Sequence, residues 1–424
     1  VYLKLAQKAI KSEKSVLVLV PEISLTPQVA NRFRWLFGSH VALWHSRMTR
    51  AEKGWTWQRL KKGEFSVVVG ARSAIFAPLK NLGLIIIDEE QEAAYKQENP
   101  PPRYHARDVA MVRGKHAGAT VLLTSATPSL ESYYNALQKK FTLLKLTKRY
   151  GDSIYPTVEL VDMKQQSFIN GSPLISVPLA SAINECLEKS DQIILLQNRR
   201  GYALIQRCPD CGSIKSCQRC AVSMTYHKTD NRLRCHYCEA TETMTTICGE
   251  CSSGNLECVG SGTQRVKDVL EEQFPGINIL RMDMDTVQKK GAHEKILQKF
   301  HNSEADILLG TQMIAKGLDF KNVTLVGVIN ADSGLFFPDF RAGERVFQLI
   351  YQVAGRAGRR KKPGKAIIQT YNPDDIYIQT AASLNTKKFY NIAMSQRQEL
   401  NYPPFSRIGR ILFSGSDKDK VNSI

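Results

Sequence analysis

Leu84-Ile85-Ile86-Ile87-Asp88-Glu89-Glu90 is an apolar run that ends abruptly in three carboxylates. A short continuous apolar run bounded this way reads as a strand buried on both faces, the kind found in parallel sheets covered by helices. In such sheets functional groups gather at the strands' carboxyl ends. Here that end offers an acidic pair, with Asp88 suited to Mg²⁺ and Glu89 suited to polarising a water, as hydrolysis of a nucleoside triphosphate requires. Alone the pattern is ordinary, because acidic turn residues often follow strands. Its neighbours decide the matter.

Working outward, the same strand signal recurs at Ser15 to Pro21, at Ser66 to Ala71 and at Thr120 to Ala126. After about residue 150 it restarts, at Gln192 to Asn198, Asn278 to Arg281, Asp306 to Thr311 and Thr324 to Asn330. Helical segments separate these runs, so the expected fold class is α/β, with parallel sheets. The second series is interrupted after its first strand, as an inserted module would interrupt it.

The interruption holds four Cys-x-x-Cys pairs: Cys208/Cys211, Cys217/Cys220, Cys235/Cys238 and Cys248/Cys251. Each pair places two thiolates on one tight turn, and eight sulfurs suffice for two closed Cys₄ zinc sites. A disulfide framework suits small secreted domains, not a chain of 424 residues. With every position a cysteine, no coordination site is left for a catalytic water, so the metals are expected to be structural. Only Gly212 to Ser216 separate the first two pairs, whereas Ala221 to Arg234 approach the ribbon spacing of roughly fifteen to twenty residues. That predicts a nested arrangement. Cys208, Cys211, Cys248 and Cys251 form the outer site, and Cys217, Cys220, Cys235 and Cys238 the inner one. Cys186 and Cys258 read as small apolar residues.

Composition narrows the class. With 43% apolar residues the chain can bury two or three cores, and no run of about 18 apolar residues suggests a membrane span. The formal charge of +18 suits a polyanionic partner, bound in a salt-sensitive way. The sequence opens on Val1-Tyr2-Leu3 without an initiator Met and stops soon after the apolar run Ile408 to Phe413. Both ends read as truncations.

Further motifs follow in order. Ser125-Ala126-Thr127 closes one strand, and Gly310-Thr311-Gln312 follows another and leads to Gly317-Leu318-Asp319-Phe320. Gln352-Val353-Ala354-Gly355-Arg356-Ala357-Gly358-Arg359 then sets two permanently charged guanidinium groups among glycines, which suits a transferring phosphoryl group. The stretch Tyr95 to Arg107 mixes the rings of Tyr95, Tyr104 and His105 with Lys96, Arg103 and Arg107, and nearby Arg113 adds another cation. Such a mixture can stack on single-stranded bases and hold phosphates.

This order resembles superfamily-2 helicases and, more closely, the PriA family of primosomal replication-restart helicases. The closer likeness rests on Pro21 to Gln28, Gly70 to Phe76, Tyr95 to Asp108, Asn198 to Tyr202 just before the cysteines, Ala331 to Glu344, and Gln352 to Arg359. It covers nearly the whole chain. The resemblance implies two RecA-like helicase lobes, the second carrying the two-zinc insertion. The expected bounds are lobe one at 1–150, connector and start of lobe two at 151–205, zinc insertion at 206–254, the rest of lobe two at 255–375, and a partial C-terminal domain at 376–424.

It further implies an ATP-dependent 3′-to-5′ DNA helicase that recognises stalled or branched forks, unwinds them and initiates primosome assembly in the bacterial cytoplasm. Implied partners are single-stranded and fork DNA, single-stranded DNA-binding protein and other primosome proteins; implied cofactors are ATP, Mg²⁺ and two Zn²⁺. Asp88, Glu89, Arg356 and Arg359 would be catalytic, and Gln91, Gly317, Asp319 and Gln352 would meet ATP. Pro21, Thr26, Arg72, Ser73, Tyr95, Arg103, Tyr104 and Thr311 would meet DNA. The family has a Gly-Lys-Thr phosphate loop just before the equivalent of Tyr2-Leu3, so the sequence as it stands is expected to hydrolyse little ATP. It also has His where this chain has Gln91. Two other readings fit parts of the sequence: a non-hydrolysing nucleic-acid-binding scaffold, and a double-strand translocase. The joint presence of Asp88, Glu89, Arg356 and Arg359 argues against the first, and the cysteine insertion against the second.

Overall fold

The structure, a computed structural model, describes residues 1–21, 27–146, 155–166, 174–197, 204–218, 224–227, 231–235, 240–254, 256–259, 262–283, 286–287, 291–315, 320–335, 337, 339–358, 363–409 and 411. Lobe one runs α1 (Tyr2–Lys11), β1 (Ser15–Leu19), α2 (Pro27–Phe37), β2 (Val41–Trp44), α3 (Arg50–Lys62), β3 (Val67–Gly70), β4 (Leu82–Asp88), α4 (Ala106–Ala117), β5 (Thr120–Thr124) and α5 (Leu130–Leu137). Its strands form a parallel sheet in the order β2-β3-β1-β4-β5. Alternation along β1 and β4 explains their unbroken apolar runs. Leu17, Leu19, Ile85 and Ile87 pack into one cluster, while Val16, Val18, Leu84 and Ile86 pack into another on the opposite face. Each such side chain contributes about 1.5–3 kcal/mol on burial, which fixes the register and aims Asp88 out of the sheet's carboxyl end.

Lobe two comprises β6 (Thr157–Asp162), α6 (Val177–Glu188) and β7 (Gln192–Leu196), and resumes after the cysteine region. That region is an antiparallel sheet of β8 (Leu204–Arg207), β9 (Thr225–His227), β10 (Arg232–Arg234), β11 (Thr241–Thr243) and β12 (Glu257–Val259). There follow α7 (Thr263–Gln273), β13 (Ile279–Met282), α8 (Ala292–His301), β14 (Ile307–Gly310), β15 (Val323–Val328), α9 (Ala342–Ala354), β16 (Lys365–Thr370), α10 (Ile376–Ala382) and α11 (Thr386–Glu399). The second sheet is also parallel, ordered β13-β14-β7-β15-β16-β6. Its first five strands repeat the path of lobe one.

The repeat extends to detail. A Cβ on Gly70 would lie 2.6 Å from Trp44 O at the end of β2, and a Cβ on Gly310 would lie 2.5 Å from Met282 O at the end of β13. Only glycine fits either strand end. Both are followed by a 3₁₀ turn, Arg72–Phe76 and Gln312–Ala315.

Candidate active site

Asp88 ends β4, and its Oδ1 accepts hydrogen bonds from the hydroxyls of Tyr2 on α1 and Thr124 on β5, the latter at 3.2 Å. Tyr95 donates to the Asp88 carbonyl at 2.7 Å. These hydroxyls orient the carboxylate. Glu89 then takes a left-handed backbone conformation, φ 49°, which a non-glycine residue adopts only under constraint. Gln91 Nε2 donates to Glu89 Oε2 at 2.7 Å, and Gln352 Nε2, from lobe two, donates to the same oxygen at 3.0 Å. Burial pushes the Glu89 carboxyl above its usual range and Asp88 adds repulsion, while the Gln91 hydrogen bond and the Arg356 charge oppose the shift.

Glu90, to which the sequence assigns no role, is the clamp. It is buried, and its oxygens take Ser129 N at 2.7 Å, Ser132 Oγ at 2.8 Å and Arg107 Nη1 at 3.0 Å. The strand end carrying Glu89 is thereby tied to α4 and to the first turn of α5, just after Ser125-Ala126-Thr127. Thr127 Oγ1 and Gln91 Oε1 are buried without a hydrogen-bond partner. An orphaned Gln91 oxygen on the side chain that holds Glu89, and another orphaned oxygen in the loop after β5, fit a site that receives a polar ligand such as Mg²⁺–ATP. Thr26, Gly317, Asp319 and Arg359 lie outside the described residues.

The expected DNA contacts divide. Tyr95 is fully buried in the lobe-one core and its hydroxyl is engaged by Asp88 O, so it presents no face to a base. That expectation is corrected: Tyr95 belongs to the wall behind the acidic pair. Arg72 is also turned inward in part, its Nη1 donating to Lys96 O at 2.7 Å and Ala94 O at 3.2 Å, so that it shapes the loop. Pro21 and Thr311 are buried at strand ends. Arg107 is committed to Glu90, and Arg113 Nη2 to Ala77 O at 2.6 Å. Ser73 and Arg103 remain exposed, and Tyr104 is half-buried with its ring edge-on to the exposed Phe76, 5.0 Å between centroids. These four residues, with Lys96, make the open basic and aromatic surface.

The outer cysteine site is assembled. The sulfurs of Cys208, Cys211, Cys248 and Cys251 all lie within 4.8 Å of one another, with Cys208–Cys251 and Cys211–Cys248 at 3.6 Å. A tetrahedral Zn²⁺ with sulfurs at ~2.3 Å requires S···S edges of about 3.8 Å, so the set fits zinc. Two matching turns build it. Cys208 N donates to Ser213 O and Cys248 N to Ser253 O, each at 2.8 Å, with left-handed Gly212 (φ 78°) and Ser252 (φ 59°) closing the knuckles. Arg207 anchors the module to lobe two, its guanidinium 3.8 Å from the Tyr371 ring centroid and its Nη2 3.1 Å from the Tyr371 hydroxyl. At the inner site Cys217 and Cys235 pack with Met224 and Leu233, while Cys220 and Cys238 lie outside the described residues.

Paired parallel-sheet lobes with Asp-Glu, Ser-Ala-Thr and Gln-x-x-Gly-Arg at their junction define the class of two-lobed helicase motors. Family models agree: residues 1–136 match DEAD/DEAH box helicase, 245–361 the helicase conserved C-terminal domain, and 217–242 the PriA DNA helicase Cys-rich region (CRR) domain. Over nearly its whole length the chain is similar to PriA replication restart proteins. It is 48% identical over 421 residues to replication restart protein PriA of Bacillus subtilis, covering 99% of this chain and 52% of that protein. To the PriA of Chlamydia pneumoniae it is 43% identical, covering 98% and 56%. The chain thus spans about half the length of the curated relatives it matches. By fold alone it is similar to a point variant of S. cerevisiae Dbp5 bound to RNA and ADP BeF3, with a TM-score of 0.50 and 12% identity over 94% of this chain and 83% of that one. Helicase Lhr of Mycobacterium smegmatis bound to ssDNA and AMP-PNP gives 0.50 and 13%, over 88% and 42%.

Proposed function

We propose that this chain is the motor of an ATP-dependent 3′-to-5′ DNA helicase that acts on stalled or branched replication forks and initiates primosome assembly there. One observation carries the reading. Glu89, the lobe-one carboxylate placed to polarise water, is met by Gln352 and the charge of Arg356 from lobe two, so the hydrolytic group is completed only when the lobes adjoin. That is the arrangement needed to couple a chemical step to relative movement of two lobes.

Asp88, oriented by the Tyr2 and Thr124 hydroxyls, would hold the metal of an Mg²⁺–ATP pair, whose chemistry is to neutralise phosphate charge as the γ-phosphoryl leaves. Glu89 orients the attacking water and receives its proton, for which a carboxyl raised by burial is suited. Arg356 supplies transition-state charge, and Arg359 is assigned the same role from its motif. Arg103, Tyr104, Phe76 and Ser73 track single-stranded DNA. Both zinc sites are structural and hold the insertion against lobe two, and single-stranded DNA-binding protein and other primosome proteins are the expected partners. The test is ATP hydrolysis with and without forked DNA, in a form of the protein that carries the Gly-Lys-Thr phosphate loop, followed by unwinding of forks labelled on either arm. Turnover without DNA stimulation, or unwinding of the opposite polarity, would refute the assignment.

A further inference from the structure

α9 carries a polar stripe that the motifs do not account for. Its buried positions Val346, Phe347, Leu349, Ile350, Val353 and Ala354 are apolar, yet Glu344 and Gln348 are buried too. With Gln352 they recur every fourth residue, which places them on one face over roughly 12 Å of helix. Buried polar groups are costly unless paired. Each finds its partner on a different segment of lobe one: Glu344 Oε1 accepts from Leu130 N at 3.1 Å, Gln348 Nε2 donates to Thr127 O at 3.4 Å, and Gln352 Nε2 donates to Glu89 Oε2 at 3.0 Å.

The far end of this stripe meets the acidic motif again by a second route. The first amides of α5 are shared between carboxylates of the two lobes, Ser129 N going to Glu90 Oε1 at 2.7 Å and Leu130 N to Glu344 Oε1. Glu344 is itself fixed by Arg397 of α11, Nη2 to Oε2 at 2.8 Å, and Arg397 Nη1 reaches Pro403 O at 2.8 Å. From the same side, Tyr390 donates to Pro128 O at 2.7 Å and stacks on Tyr133 with centroids 4.1 Å apart. A shift of α9 along α5 would therefore move Gln352 relative to Glu89.

We infer that Glu344 and Gln348 are positioning residues for Glu89, a register mark that fixes how lobe two meets the hydrolytic carboxylate. This rests on the reading of Glu89 as the hydrolytic group. The experiment compares Glu344→Ala, Gln348→Ala and Glu344→Gln with the unaltered protein, each in a form that carries the family's Gly-Lys-Thr phosphate loop, by steady-state ATP hydrolysis on single-stranded DNA and by amide hydrogen exchange over residues 127–132. Misplacement by an ångström can cost about a hundredfold in rate. Glu344→Ala should therefore lower kcat at least tenfold, leave KM for ATP within about twofold, and speed exchange over residues 127–132. Glu344→Gln, which keeps an oxygen for Leu130 N, should recover most of the rate. If Glu344→Ala folds poorly, Gln348→Ala serves, with a kcat loss of several-fold. Normal kcat in both alanine variants while the unaltered protein turns over overturns the positioning role alone, as does unchanged exchange over residues 127–132. Absence of turnover in the unaltered protein, assayed in a form that carries the Gly-Lys-Thr phosphate loop, overturns the motor reading and the positioning role together.

Discussion

Gln352 Nε2 lies 3.0 Å from Glu89 Oε2, joining groups 263 residues apart. Glu89 is held to this meeting from its own side, by a left-handed backbone and by the Gln91 amide. The carboxylate is thus braced within lobe one and addressed from lobe two, which makes its geometry a readout of lobe apposition.

Removing the address should cost rate more than binding. Gln352→Ala is expected to lower kcat for DNA-stimulated hydrolysis by about tenfold to a hundredfold, with nucleotide affinity little changed. Glu89→Gln should abolish turnover while sparing nucleotide binding. Steady-state kinetics beside equilibrium nucleotide titration separates the two effects; equal losses in affinity and rate would show Gln352 to be a binding group only.

Metal content checks the cysteine module. Elemental analysis should find about two Zn²⁺ per chain. Changing Cys217 and Cys235 together to Ser should release one and spare the outer set, whose four sulfurs are already gathered without them. Loss of both metals from that variant would count against the nested pairing.

The corrected role of Tyr95 separates from that of its neighbour. Tyr104→Ala should weaken single-stranded DNA binding by roughly 1–3 kcal/mol, the worth of one stacked base. Tyr95→Phe deletes only the hydroxyl on Asp88 O, so binding should hold while stability falls by about 1 kcal/mol. Arg103→Ala should weaken binding and flatten its salt dependence by about one phosphate contact. Fluorescence anisotropy across a salt series reads all three.

The strands bearing motifs were legible because they are buried on both faces and so are written as unbroken apolar runs. β2, β6 and β16 were not singled out. β2 is short, and β6 lies at the sheet edge, where Thr157, Glu159 and Asp162 interleave with its apolar residues. Aromatic and basic composition marked the loop after Glu90 as a candidate DNA-binding surface but could not sort Tyr95, which turns inward, from Tyr104, which does not. Composition carries no direction; the hydroxyl's partner on Asp88 decides it. The Glu344-Gln348-Gln352 stripe was readable in principle, as polar residues at fourth-residue spacing on an apolar helix, but its partners lie in lobe one and only the fold brings them together.

The last expectation concerns pH and follows from Glu344. Burial, helped by repulsion from Glu131 on α5, pushes its carboxyl up to about 7, against the pull of Arg397 on α11 and Arg341 before α9; Tyr377 and Tyr390 face it as neutral hydroxyls. A carboxyl whose folded pKa is raised stabilises the fold in its protonated form. Its contribution is complete below the unfolded value near 4.5 and is lost as pH rises through about 7. A shift of this size corresponds to up to about 3 kcal/mol. Glu131 is held low by Arg341 despite its burial, so its own contribution runs the other way and fades on acidification. Glu344→Gln cannot titrate. The stability of that variant relative to the unaltered protein should therefore rise between pH 5 and pH 8, as measured by denaturant unfolding at each pH. If the difference is flat across that window, the Glu344 carboxyl titrates in its ordinary range and Arg397 fully offsets its burial.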